Sequence, residues 1–133
     1  MFLVDTNVWL ERLLDQAQST EVGSFLDCTP SERLCMTDFA FHSIGMIMCR
    51  LNQSEALLRF VHDVFIDGAV TLIHLEPEDT QHLVQIMEKF NLDFDDAYQY
   101  ASAEKYNLTI VSFDGDFDST ERGRITPANI LKE

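Results

Sequence analysis

Met1-Phe2-Leu3-Val4 is an apolar run that stops on Asp5, and Ile110-Val111-Ser112-Phe113 is a second that stops on Asp114-Gly115-Asp116. Both read as buried strands that end on a carboxylate. A further acid, Asp96, lies in Leu92-Asp93-Phe94-Asp95-Asp96-Ala97, which reads as the start of a helix. Between them, β-rich runs at Arg33–Met36 and Ala69–Leu75 alternate with helical periodicity. That alternation implies an α/β fold, a mostly parallel sheet with helices on its faces. Ligands of such sheets bind in the crevice outside the carboxyl ends of the strands, where acids from distant parts of the chain meet. At an effective dielectric near 20, two carboxylates about 4 Å apart repel by roughly 4 kcal/mol. The cluster therefore calls for a cation or a shared proton, and a cation points to metal-dependent chemistry.

The remaining elements follow from spacing. Helices are expected from Val8 to Leu14, from Ser19 to Leu26 and from Phe39 to Leu51, the last with Thr37 or Asp38 as its cap. Phe39–Leu51 is apolar nearly all round, as suits a helix laid against the sheet or against another subunit. Ser54 is expected to cap a helix carrying Leu57, Leu58, Val61 and Phe65. Pro77 sits near the start of a helix reaching Phe90. Asp93 or Asp95 caps the helix that ends near Tyr106-Asn107, and Arg124-Ile125-Thr126 is a last short strand.

At 133 residues, positions 1–133 form one domain with a sizeable core. No apolar run approaches the ~18 residues of a membrane span, and the amino terminus lacks the pattern of a secretion signal. Cys28, Cys35 and Cys49 show no Cys-x-x-Cys spacing and read as reduced packing residues of a cytoplasmic protein. The net charge is −14, from 23 acids against 9 bases. That field opposes a phosphate backbone, so a nucleic-acid role needs local basic residues, bound metal or a second subunit.

Several specific sites fit badly. Asp114, Asp116 and Asp118 imitate the start of an EF-hand loop, but Ser119 stands at its Gly and Ile125 at its bidentate Glu. There is no Gly-rich phosphate loop and no Gly-x-Ser-x-Gly elbow. A haloacid-dehalogenase-type phosphatase wants a second Asp at position 7, where this chain has Asn7.

Val4-Asp5-Thr6-Asn7-Val8-Trp9-Leu10 resembles the opening strand and first acid of the PIN domain, especially of the single-domain VapC-type toxin ribonucleases. Phe94-Asp95-Asp96-Ala97, followed by Ala101 and Ala103, resembles that family's third-acid helix. Leu108 to Phe117 resembles the strand carrying its last acids and a hydroxyl, and Ile125 to Leu131 resembles its tail. The resemblance implies a three-layer α/β/α sandwich around a central, mostly parallel sheet of about five strands. It also implies hydrolysis of RNA by Asp5, Asp96, Asp114 and Asp116 holding Mg²⁺ or Mn²⁺, with Asn7 and Ser112 orienting the carboxylates. A homodimer and a small antitoxin are the partners it suggests. Arg12, Arg33, Arg50, Arg122 and Arg124 are candidates for steering the RNA strand, against a plain reading as surface ion pairs.

The chain departs from the family at one position. The family places a Glu on the helix after the second strand, and by register that position is Ser43; no Glu occurs between Glu32 and Glu55. Asp38 and His42, four residues apart and on one helical face, are the nearby substitutes. The plainer reading of this pair is a helix cap and a packed imidazole. Two other function classes stay open: a PIN domain that binds RNA or protein without cleaving, and a metal-dependent phosphoryl enzyme acting on a small substrate.

Overall fold

The computed structural model describes residues 1–132. Its sheet has four parallel strands, β1 (Phe2–Val4), β2 (Leu34–Thr37), β3 (Thr71–Ile73) and β4 (Thr109–Val111), in the spatial order β3-β2-β1-β4. Consecutive residues of the inner strands point to opposite faces, and both faces are covered. Leu3, Cys35 and Ile110 enter one core with Leu83, Ile86, Ala97 and Tyr100, from helices α5 (Thr80–Phe90) and α6 (Phe94–Tyr106). Val4, Met36 and Val111 enter the other, with Trp9 of α1 (Thr6–Leu13), Phe25 of α2 (Ser19–Cys28) and Ile44 of α3 (Asp38–Arg50). Two-sided burial explains why the strands read as unbroken apolar runs rather than alternating ones. The result is the expected three-layer α/β/α sandwich.

The chain steps outward from β1 to β2 to β3 and then returns to place β4 on the far side of β1. The strand order thus reverses between β1 and β4, which is where an open α/β sheet leaves its crevice. Asp5 and Ser112 are the residues that follow these two strands.

Four strands form among the described residues where about five were expected. Ile125 makes only an isolated parallel bridge to Val111, giving 2.9 Å to the Ile110 carbonyl and accepting from Ser112 at 3.0 Å. Pro127, with no N–H to continue a ladder, instead opens α7 (Pro127–Leu131), whose Thr126 cap closes a capping box with Asn129. The Ala69–Leu75 run narrows to Thr71–Ile73 at the sheet edge. Ser54 proves to be the first residue of α4 (Ser54–Val61), with Gln53 at the cap position and no side-chain bond there. Beyond α4 the chain widens into a π turn, His62–Ile66. Gly68 follows it because a Cβ there would lie 2.7 Å from the Asp63 and Val64 carbonyl oxygens. Among the described residues no helix is long and apolar enough to cross a membrane.

Candidate metal centre

Strand register builds the floor of the crevice. Leu3 pairs with Cys35 and with Ile110, so two residues further along Asp5 stands level with Thr37 on one side and Ser112 on the other. All three are buried. Ser112 Oγ donates to Asp5 Oδ2 at 2.7 Å, and Asp5 Oδ1 accepts from the Thr6 N–H at 2.8 Å, where it caps α1. From α6, Gln99 Nε2 donates to the same Oδ1 at 2.9 Å, while Thr37 Oγ1 donates to Gln99 Oε1 at 2.6 Å. Burial pushes the Asp5 carboxyl above its usual range, and the bonds from Gln99 and Ser112 pull it back only in part. A buried charge survives when it is paired or hydrogen-bonded, and Asp5 has three donors.

Asp93 fixes the next carboxylate. Its side chain accepts from the Asp96 N–H at 3.2 Å, capping α6, so of the two candidate caps Asp93 is the one used. That leaves Asp96 free to turn into the crevice. Asp114 caps the following 3₁₀ turn, Gly115–Ser119, by accepting from the Asp116 N–H at 2.8 Å. Its own N–H donates to Ser112 Oγ at 2.9 Å. Asp96, Asp114 and Asp116 each offer a carboxylate oxygen within 4.8 Å of the others. Asp5, Asp96 and Asp114 line one open cavity of about 300 Å³, together with Asn7, Ser43 and Gln99; exposed Asp116 is not part of that lining and joins the group through its nearness to Asp96 and Asp114. Desolvation, then the negative charge of Asp114, Asp93 and Asp5, pushes the Asp96 carboxyl up to about 7. A set of hard oxygen donors that repel one another fits a hard divalent cation.

The other expected residues fall in three places. Asn7 ties the floor together, donating from Nδ2 to Ser112 Oγ at 3.2 Å and accepting from the Phe113 N–H at 3.2 Å. Ser43 lines the cavity on α3. Asp38 and His42 do not: both are exposed, and Asp38 accepts from the Tyr98 hydroxyl at 2.8 Å. Burial, with the neighbouring Asp38 carboxylate, raises that phenol to about 12, so it stays a donor at neutral pH.

Among the arginines, Arg124 grips Asp118 at 3.1 and 3.2 Å and the Ser112 carbonyl at 3.0 Å, which braces the strand end under the site. Arg122 binds Asn107 and the Leu108 carbonyl, Arg12 binds Ser19, and Arg33 lies over the Phe2 ring. Thr37 is marked in the sequence only as a helix cap, and Gln99 is not marked out by the sequence motifs. A glutamine three residues after Asp96, on a helix otherwise lined with Ala97, Ala101 and Ala103, is the one signal that marks it.

The architecture is shared with known proteins. The VapC20 toxin of Mycobacterium tuberculosis, described as cleaving the sarcin-ricin loop, superposes with a TM-score of 0.79 at 16% identity, over 96% of this chain and 100% of the other. A toxin–antitoxin complex from Klebsiella pneumoniae gives 0.76 at 16% identity, covering 96% and 98%. FitAcB from Neisseria gonorrhoeae gives 0.72 at 21% identity, covering 96% and 99%. No curated protein matches by sequence search. The PIN domain family model, by contrast, matches residues 2–123, a span that takes in all four crevice-forming aspartates. The chain belongs to the PIN domain family.

Proposed function

We propose that this chain is a divalent-metal-dependent endoribonuclease, the toxin of a toxin–antitoxin pair. The observation that carries the reading is the convergence of Asp96, Asp114 and Asp116 within 4.8 Å beside buried Asp5, at the switch point of a PIN fold. Asp5, Asp96 and Asp114, with Asp116 assisting, would hold one or two Mg²⁺ or Mn²⁺ ions. Such an ion, when bound, lowers the pKa of a water ligand and screens charge on the phosphate.

The chain's own residues do the rest. Ser112 and Asn7 hold the Asp5 carboxylate and the Asp114 backbone in place, as outer-shell groups do in metal sites. The cavity opens to solvent, and the carboxylates hold off a phosphate until a cation offsets their charge. The toxin assignment draws on the solved relatives, which include toxin–antitoxin complexes. A protein partner, either a small antitoxin or a second copy of the chain, is supported by apolar side chains left exposed: Phe41 and Met46 on α3, Leu58 on α4 and Ile66 in the π turn.

One observation favours a second reading. Ser43, at the position where the family carries Glu, lines the cavity without supplying a charge, so the domain could bind RNA or a protein without cleaving. Structured RNA incubated with purified protein and Mg²⁺ or Mn²⁺, beside Asp5→Asn and Asp96→Asn, separates the two. Metal-dependent cleavage lost in both variants is the expected result. Mn²⁺ binding with intact RNA in every condition would reject catalysis and leave the binding domain.

A further inference from the structure

We infer that Gln99 is a positioning residue that fixes Asp5 so that a single lone pair of its carboxylate faces the crevice; this rests on the metal-dependent reading above. Gln99 is 2% exposed and sits mid-helix in α6, a polar side chain among buried neighbours. A buried glutamine amide must be satisfied on both ends. Both ends are satisfied, by residues far apart in sequence: Asp5 on β1's end and Thr37 on β2's end.

The direction of the amide is fixed by the chain of donors. The Ala40 N–H donates to Thr37 Oγ1 at 3.0 Å. The Thr37 hydroxyl hydrogen goes to Gln99 Oε1, and the Nε2 hydrogens face Asp5, whose carboxylate can only accept. The first turn of α3 is thereby linked through Thr37 and Gln99 to the Asp5 carboxylate. A carboxylate has about four lone-pair positions, two on each oxygen. On Oδ1 the Thr6 N–H and Gln99 Nε2 fill both. On Oδ2 the Ser112 hydroxyl fills one. One position on Oδ2 remains for a cation, and without Gln99 the carboxylate would gain a second on Oδ1 and lose the bond that stops it turning. Gln99 also supplies polarity to the crevice without charge, in a site where Ser43 adds none.

Calorimetric titration of the apo full-length chain with Mn²⁺ tests this, beside thermal unfolding of the same samples. Gln99→Met keeps the side-chain volume and removes both hydrogen bonds; it is expected to weaken Mn²⁺ binding about 10- to 100-fold, the usual effect of losing an outer-shell partner, in a protein that still unfolds cooperatively. Thr37→Val leaves Gln99 in place but frees its amide to turn over, and is expected to weaken binding about 10-fold. A residue that only fills space would move the unfolding temperature and leave Mn²⁺ affinity at the wild-type value in both variants, which overturns the assignment. Should Gln99→Met fail to fold, Thr37→Val decides alone, with wild-type affinity again the overturning result. A wild-type chain that takes up no Mn²⁺ is a different outcome: it removes the metal reading itself, and this inference with it.

Discussion

Lowering the pH from 8 to 5 is expected to weaken Mn²⁺ binding about a hundredfold, because a proton on Asp96 competes with the cation. Burial and the charges of Asp114, Asp93 and Asp5 hold that proton up to about 7, against 3.8 ordinarily. With one proton displaced per ion, the competition factor is about 100 at pH 5 and close to one at pH 8. For a carboxyl of ordinary affinity it would be close to one at both. The Asp114 charge is part of what holds that proton on Asp96, so either substitution, Asp96→Asn or Asp114→Asn, should flatten the slope.

The same proton governs the apo protein. Between about pH 4, where the unfolded chain releases it, and about 7, where the folded chain does, the folded state binds more protons. Stability from this source is therefore fully present below about pH 4 and is lost as pH rises through about 7. Asp96 is partly solvent-exposed, so screening reduces the effect to about 1–2 kcal/mol, or ~4–8 °C in Tm for a chain of this size. Asp5, raised by burial, acts in the same direction. The assay is Mn²⁺ calorimetry at four pH values with parallel thermal melts of wild type and Asp96→Asn. A Kd at pH 5 within about twofold of that at pH 8, or a wild-type-minus-variant Tm difference that grows with pH, would refute the reasoning.

Three further outcomes follow from the same contacts. Asp5→Asn keeps an acceptor for Gln99 and removes a buried charge; metal-dependent RNA cleavage should fall at least ~100-fold in a gel assay while the apo Tm holds or rises. Ser43→Glu adds a carboxylate to the cavity and should tighten Mn²⁺ binding about 10-fold by calorimetry, while lowering apo stability by about 1 kcal/mol in urea melts. Asn107 closes α6 at φ 54°, in the left-handed region; Asn107→Ala should cost ~1 kcal/mol in the same urea titration, with Mn²⁺ affinity unchanged.

The strands, the main helices and the acidic crevice were legible because each leaves a local mark. Phe2-Leu3-Val4-Asp5 marks a covered strand and its end, and Thr37 before Phe39 marks a cap that is indeed used. What local pattern could not show was which acid does which job. Asp93 and Asp95 are equivalent as candidate caps in sequence, and only the turn of α6 makes Asp93 the cap and points Asp96 inward. Similarly, Asp38 and Tyr98 lie 60 residues apart, so no spacing rule links them, and their hydrogen bond decides how Asp38 is occupied. The bond between Gln99 and Thr37, 62 residues apart, is invisible to sequence for the same reason. Arg124-Ile125-Thr126 has strand composition, but Pro127 ends the ladder after a single bridge, so the sheet has four strands where about five are expected.

Crystals soaked in Mn²⁺ and measured at the manganese edge test the metal centre most directly. The expected map has an anomalous peak in the crevice, about 2.1 Å from carboxylate oxygens of Asp96 and Asp114, with Asp5 contributing through Oδ2. An empty crevice at saturating Mn²⁺, with the four aspartates ordered and holding the same hydrogen bonds, would contradict it.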